Sequence, residues 1–162
     1  MTKTPTTSKH IFLQLDTTSI IAEIGTKDSY SPEQINEIAL ANCLLYEQGS
    51  MVLGDPITRL IIHTEPMQEI FFTILPLQLF SKHKLYFTEA AFTPTGKATI
   101  PVTVDNPGGH FMSFKITIDP KAPIGSAENF SLTLNLEHQA GDQLPPLTIT
   151  IDPVLQVVQP KP

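Results

Sequence analysis

Apolar and polar residues alternate along four segments in the C-terminal half of the chain. Successive side chains of a β-strand point to opposite sides of a sheet, so alternation with period two predicts a strand with one buried face. The four segments span residues 98–105, 112–119, 130–137 and 147–151. Clusters of Gly, Pro and Asn such as Asn106-Pro107-Gly108-Gly109 lie between them, and such clusters favour tight turns. This half of the chain is therefore predicted to be a series of half-buried strands.

The N-terminal half shows weaker strand signals. Residues 11–15 alternate, and residues 57–64, 69–75 and 84–89 are rich in the β-branched and aromatic side chains that are typical of strands. Pro101 lies inside one alternating segment. Because proline has no N–H to donate to a neighbouring strand, Pro101 predicts that this strand lies at the edge of a sheet.

One helix is predicted from its N-terminal signal. Ser31-Pro32-Glu33-Gln34 offers an N-cap serine, a proline in the first helical position and a glutamine three residues after the cap. Ile35, Ile38 and Ala39 then share one face. We expect a short helical insertion near residues 32–46.

These elements predict the fold class. About eight strands, turns rich in Pro and Gly, and one short helix indicate a mainly β protein, an antiparallel β-sandwich similar to the immunoglobulin fold, with a barrel as the alternative. A chain of 162 residues suits one domain over residues 1–162, with a flexible tail near residues 159–162. The chain has one Cys and no Trp, so any similarity to immunoglobulin domains concerns the architecture alone.

Composition limits the partners that the chain can have. Its 16 acidic and 10 basic residues give a net charge of −6, and its longest basic run is Lys82-His83-Lys84, which argues against nucleic-acid binding. No apolar stretch approaches the roughly 18 residues of a membrane helix, and the first residues lack the apolar block of a signal peptide. Cys43 has no second cysteine to pair with. We expect a cytoplasmic protein that binds a protein partner or self-associates, with no nucleic-acid or membrane partner.

Asp-Pro dipeptides recur along the sequence, which also has one Glu-Pro. Ile-Thr-Ile-Asp-Pro occurs at residues 116–120 and again at 149–153, and each copy is interpreted as a strand end at which Asp accepts a backbone hydrogen bond and Pro fixes the turn. Further dipeptides of this kind are Asp55-Pro56 and Glu65-Pro66, beside Asp152-Pro153 in the second copy. In these three dipeptides the chain resembles the DP-EP family of small uncharacterised bacterial proteins, although Gln159-Pro160 has Gln where a second Glu-Pro would be expected. The resemblance implies a bacterial β-sandwich of unknown function and no catalytic residues.

Catalytic motifs are incomplete in this sequence. Residues 93–97 end in Gly96-Lys97, but a phosphate-binding loop needs glycine where Ala91 stands and Ser or Thr where Ala98 stands. The zinc deaminase pattern that begins like His63-Thr64-Glu65 requires a cysteine pair, and the chain has one cysteine. A metal site built from His63, Glu65 and a distant histidine such as His83 or His110 is chemically possible. A solvated strand end is the favoured interpretation of His63 and Glu65. We therefore predict no catalytic, cofactor or metal residues, and keep His63, Glu65 and His110 as the alternative metal set.

These observations favour a non-enzymatic interaction or accessory module that works through its surface, for example by self-association at a sheet edge. The alternative is a small metal-dependent or ligand-binding protein that uses His and Glu residues in loops at one end of the sandwich.

Overall fold

A computed structural model describes residues 8–25, 29–47, 61–92, 102–105, 108–138 and 144–160. Within these ranges the chain forms ten strands and two helices, in the order β1 (Ser8–Leu15), α1 (Thr17–Ile24), α2 (Pro32–Ala41), β2 (Cys43–Glu47), β3 (Ile61–Thr64), β4 (Glu69–Pro76), β5 (Leu85–Phe92), β6 (Val102–Asp105), β7 (Ser113–Ile118), β8 (Ala127–Leu136), β9 (Leu147–Ile151) and β10 (Val154–Val157). The prediction of a mainly β fold is confirmed, whereas eight strands and one helix were too few. Asp55-Pro56, Pro101 and residues 93–97 lie outside the described ranges.

The strands form two mixed sheets. The first has the order β2-β1-β4-β7-β6, and the second has the order β3-β10-β8-β5 with β9 also paired to β8. Two pairs are parallel, β1 with β4 and β3 with β10, while the other pairs are antiparallel. The prediction of an antiparallel fold was therefore wrong for these two pairs, since alternation reports which side chains are buried and carries no information on strand direction.

A single hydrophobic core joins the two sheets. The ring of Phe72 in β4 packs edge-on against Phe130 in β8, with centroids 5.6 Å apart. Phe87 in β5 packs in the same way against Phe114 in β7 at 5.2 Å. Because each contact crosses from one sheet to the other, the sheets pack against each other, and the alternative of a closed barrel is wrong.

The helices correct the predicted insertion at residues 32–46. The start of α2 is confirmed as a capping box, in which Ser31 N–H donates to Gln34 Oε1 at 2.8 Å and Gln34 N–H donates to Ser31 Oγ at 3.3 Å. The helix ends at Ala41, and the chain continues directly into β2. Helix α1 was not predicted. No helix among the described residues is long and apolar enough to span a membrane.

The single domain over residues 1–162 and the flexible tail at 159–162 stay predictions. The predicted turn chemistry is confirmed at Gly108-Gly109 and at Asp119-Pro120, and the same chemistry at Asp152-Pro153 stays a prediction. Gly108 and Gly109 both have positive φ, at 75° and 66°, and Asp119 Oδ1 accepts a hydrogen bond from Lys121 N–H at 2.7 Å, which is the local bond expected of an Asp-Pro turn.

Candidate interaction surface

Three connections meet at one end of the molecule, which we call the loop end and define as residues 77–84, 108–112, 137–138 and 144–146. Residues 77–84 join β4 to β5, residues 108–112 precede β7, and the last two segments lie between β8 and β9. Hydrogen bonds link these connections to one another and to β5: Glu137 N–H donates to Lys84 O at 2.8 Å, and Phe111 N–H donates to Phe87 O at 3.1 Å. Segments far apart in the sequence therefore form one surface.

The loop end carries exposed apolar side chains. Leu79 and Phe80 are 93% and 92% exposed, and they are the most exposed large hydrophobic residues of the described chain. Three further large apolar side chains of the loop end are at least one-third exposed, namely Leu77, Met112 and Leu144. Clustered exposed apolar side chains, unlike isolated ones, are typical of surfaces that contact another molecule.

The loop that carries Leu79 and Phe80 is held firmly at its base. Leu77 N–H donates to Leu15 O at 2.7 Å, and Ser81 N–H donates to Gln78 O at 3.2 Å. The side chains of Ser81 and the fully buried Thr17 lie 2.9 Å apart, between their hydroxyl oxygens. The loop therefore presents its apolar tip from a base that is fixed to the start of α1.

Asp16 connects the same loop to the helix cap. Its carboxylate accepts hydrogen bonds from Ser19 N–H at 2.9 Å and from the Gln78 side-chain amide. These bonds, with the Ser19 backbone bond as the largest contribution, hold the pKa of Asp16 below its ordinary value. The carboxylate is therefore ionised at neutral pH, and it orients Gln78 next to the exposed tip.

The exposed charged side chains of the loop end are both cations. Lys82 and Lys84 are exposed, whereas the half-buried carboxylate of Glu137 accepts a hydrogen bond from the Tyr86 hydroxyl at 2.9 Å. The described loop end thus presents positive charge beside apolar surface, in a chain whose net charge is −6.

A second surface, which we call the turn end, lies at the opposite end of β4 and comprises residues 65–68 and 119–126. Ile118 N–H donates to Gln68 O at 3.0 Å and so joins its two parts. Ile124 and Met67 are 59% and 45% exposed. This end therefore also presents apolar side chains, with the carboxylates of Glu65 and Asp119 beside them.

The turn at Glu65-Pro66-Met67-Gln68 has an unusual residue in its third position. Gln68 N–H donates to Glu65 O at 3.2 Å, and Met67 has φ of 67°. Proline in the second position with positive φ in the third is the pattern of a type II turn, where Gly or Asn is preferred over Met. The buried Gln68 side chain holds the turn, because its Oε1 accepts hydrogen bonds from Glu65 N–H and from the Thr64 hydroxyl, each at 3.1 Å.

In the described part of the chain, several sheet edges offer less surface for contact with another molecule than the loop end does. Helix α2 lies against β9, where Asn36 Oδ1 accepts a hydrogen bond from Thr150 N–H at 2.9 Å. Phe87 in β5 exchanges two backbone hydrogen bonds with Phe111, and the pairing of β5 with β8 is irregular between Phe87 and Glu89. Strands β3 and β6 are four residues long. Short, capped or bulged edges oppose pairing with another strand.

The alternative metal set is divided between distant strands. His63 is exposed on β3, and Glu65 follows β3 in the turn. His110 stacks on Tyr86 of β5, with ring centroids 4.1 Å apart. Because β3 and β5 lie at opposite sides of the second sheet, the structure does not bring His110 to His63 and Glu65. Across the described ranges, no three His, Cys, Asp or Glu residues are placed to hold a metal ion.

His83 also belongs to the loop end. Its Nδ1 is buried and has no hydrogen-bond partner among the described residues. Leu79 and Phe80 had no role in the sequence prediction. The available signal was that apolar residues continue after Pro76, at Leu77, Leu79 and Phe80, beyond the predicted end of a strand at residue 75.

Comparison with known proteins gives a match in fold alone. No protein-family model and no curated protein matches the chain. A solved structure, that of the inclusion body protein PixA from Burkholderia cenocepacia, matches with a TM-score of 0.64 and 11% sequence identity, covering 98% of this chain and 99% of that one. The chain is therefore similar to that protein in fold over nearly its whole length.

Proposed function

We propose that this protein is a non-enzymatic β-sandwich that works as an interaction or accessory module of a bacterial cell, and that its loop end binds another copy of the chain. The observation that carries the proposal is the nearly complete exposure of Leu79 and Phe80 on a loop with a fixed base.

Burial energetics support a contact at this place. Covering a Leu or Phe side chain that is otherwise exposed contributes about 1.5–3 kcal/mol for each residue. A loop that is already held by Thr17, Gln78 and Ser81 loses little conformational freedom on binding, so more of that free energy is available to the contact. Because the described edges at β3, β5, β6 and β9 are short, bulged or covered, the loop end is a better candidate than these edges for self-association.

The comparisons and the histidine positions agree with this proposal. The solved structure of similar fold is named an inclusion body protein, which is consistent with self-association. The alternative of a metal-dependent or ligand-binding protein has less support, because His63 and His110 lie on opposite sides of the second sheet. An immunoglobulin-like strand arrangement, membership of the DP-EP family and a cytoplasmic location are part of the same proposal.

Sedimentation velocity tests the proposal with matched variants. We expect the wild-type sedimentation coefficient to rise between about 10 µM and 1 mM, the range in which a small interface associates. The variant Leu79→Ser/Phe80→Ser is expected to remain monomeric. Ile61→Ser is the control, since Ile61 is 52% exposed but lies in β3, outside the loop end. A loop variant that sediments like the wild type at every concentration would contradict the proposal.

A further inference from the structure

We infer that copies of the protein associate head to tail, with the loop end of one copy bound to the turn end of the next. This inference rests on the proposed self-association, and it names the surface that the loop end contacts.

Like charges disfavour a symmetric contact between two loop ends. A twofold interface places the same surface of both copies together. Exposed Lys82 and Lys84 of both copies would then lie within one interface. Such an accumulation of lysines weakens association unless acidic groups lie between them. The carboxylates of Glu137 and of Asp16, which is bonded to Gln78, already accept hydrogen bonds within their own chain.

The turn end complements the loop end in both apolar surface and charge. Met67 and Ile124 supply exposed apolar side chains for Leu79 and Phe80 to contact. The turn end carries the carboxylates of Glu65 and Asp119. Lys121 is exposed there, and the Lys9 ammonium bonds the backbone oxygen of His63, two residues before Glu65. The two carboxylates are opposite in sign to Lys82 and Lys84 and can pair with them across a head-to-tail contact.

The backbone at Met67 supports a role for its side chain in binding. Residues other than Gly, Asn and Asp seldom adopt a φ near 67°, the value at Met67. Glycine would form the same turn without that steric cost. The side chain of Met67 is 45% exposed, so burial within the chain does not account for it. Strained backbone that displays an exposed side chain is common at binding surfaces.

The positions of the two ends determine what assemblies form. They lie at opposite ends of β4, whose eight residues (Glu69–Pro76) span about 26 Å at 3.3 Å per residue. A contact between two different surfaces leaves one free copy of each surface on every complex. Head-to-tail association therefore continues beyond the dimer as concentration rises, whereas a twofold contact ends at the dimer.

A mixing experiment tests the inference. One variant, Leu79→Ser/Phe80→Ser, has only an intact turn end, and the other, Met67→Gly/Ile124→Ser, has only an intact loop end. We expect each variant alone to lose association at least about tenfold, the change produced by 1.4 kcal/mol. The equimolar mixture is expected to form one-to-one dimers and nothing larger, while the wild type forms longer species. Circular dichroism of both variants checks that each is folded.

The outcomes separate this inference from the proposed function. If the turn-end variant associates as strongly as the wild type while the loop variant is monomeric, self-association through the loop end stands and the head-to-tail contact is wrong. A mixture that stays monomeric also overturns the head-to-tail contact. If the wild type itself is monomeric at about 1 mM, the concentration at which a contact with a Kd of about 1 mM is half-occupied, both the proposed self-association and the inference fail.

Discussion

Met67→Gly is expected to stabilise the folded protein while it weakens association. Holding a residue with a Cβ in the left-handed region costs roughly 1–2 kcal/mol, and Met67 has φ of 67°. Glycine removes that cost, but its greater conformational freedom stabilises the unfolded chain by about 0.4–1 kcal/mol. The exposed Met67 side chain loses only part of its contacts on truncation, so we expect a net gain of about 0.5–1 kcal/mol.

Urea unfolding at low protein concentration measures this change, because dilution removes any contribution from association. Met67→Ala is the matched control: it removes the same side chain but keeps the positive φ cost, and it should be about 1 kcal/mol less stable than Met67→Gly, or about 2–4 °C lower in Tm. The reasoning is refuted if the glycine and alanine variants have equal free energies of unfolding.

Three further predictions concern the core, the helix cap and the cysteine. Phe72→Ala should lower the free energy of unfolding by about 3–5 kcal/mol, measured by urea titration, because Phe72 is fully buried against rings of both sheets. Asp16→Ala should lower the free energy of unfolding by about 0.5–2 kcal/mol at pH 7, because the variant loses the α1 cap. The folded pKa of Asp16 is below its ordinary 3.8. The difference in stability between wild type and variant should therefore hold above about pH 4 and disappear as the pH falls through the folded pKa. Burial raises the pKa of Cys43 to about 12, so at pH 8 a thiol reagent should label the native protein at least about a hundredfold more slowly than the urea-unfolded protein.

Sequence patterns predicted the parts of the fold that depend on local chemistry. Alternation located β7, β8 and β9 because one face of each strand is buried in the core. The capping box located the start of α2 because its hydrogen bonds join residues only three apart. The end of α2 was predicted too late in the sequence, because the apolar residues Cys43 to Leu45 suit a continuing helix as well as the strand they form.

Helix α1 was missed because its signals are weak. Thr17, Ile20 and Ile24 are buried, but the segment is rich in β-branched residues, which favour strands when read alone. Its cap, Asp16, has Ser rather than Glu or Gln three residues later, so it lacks the capping-box pattern. Packing against the core therefore decides the structure of this segment, and packing cannot be read from the local sequence.

The loop end could not be predicted because it depends on the direction of β1 and β4, and the parallel pairing of these two strands was not predicted either. Since β1 and β4 run in the same direction, with Leu15 paired to Pro76, the start of α1 and the loop after β4 leave the sheet at the same end. Asp16 and Thr17 are thus placed to bond Gln78 and Ser81, across more than sixty positions of sequence. In an antiparallel pair the two strand ends would lie about 26 Å apart, and the apolar tip at Leu79 and Phe80 would lose the base that holds it in place. Strand direction, which alternation does not encode, therefore determines whether this surface exists.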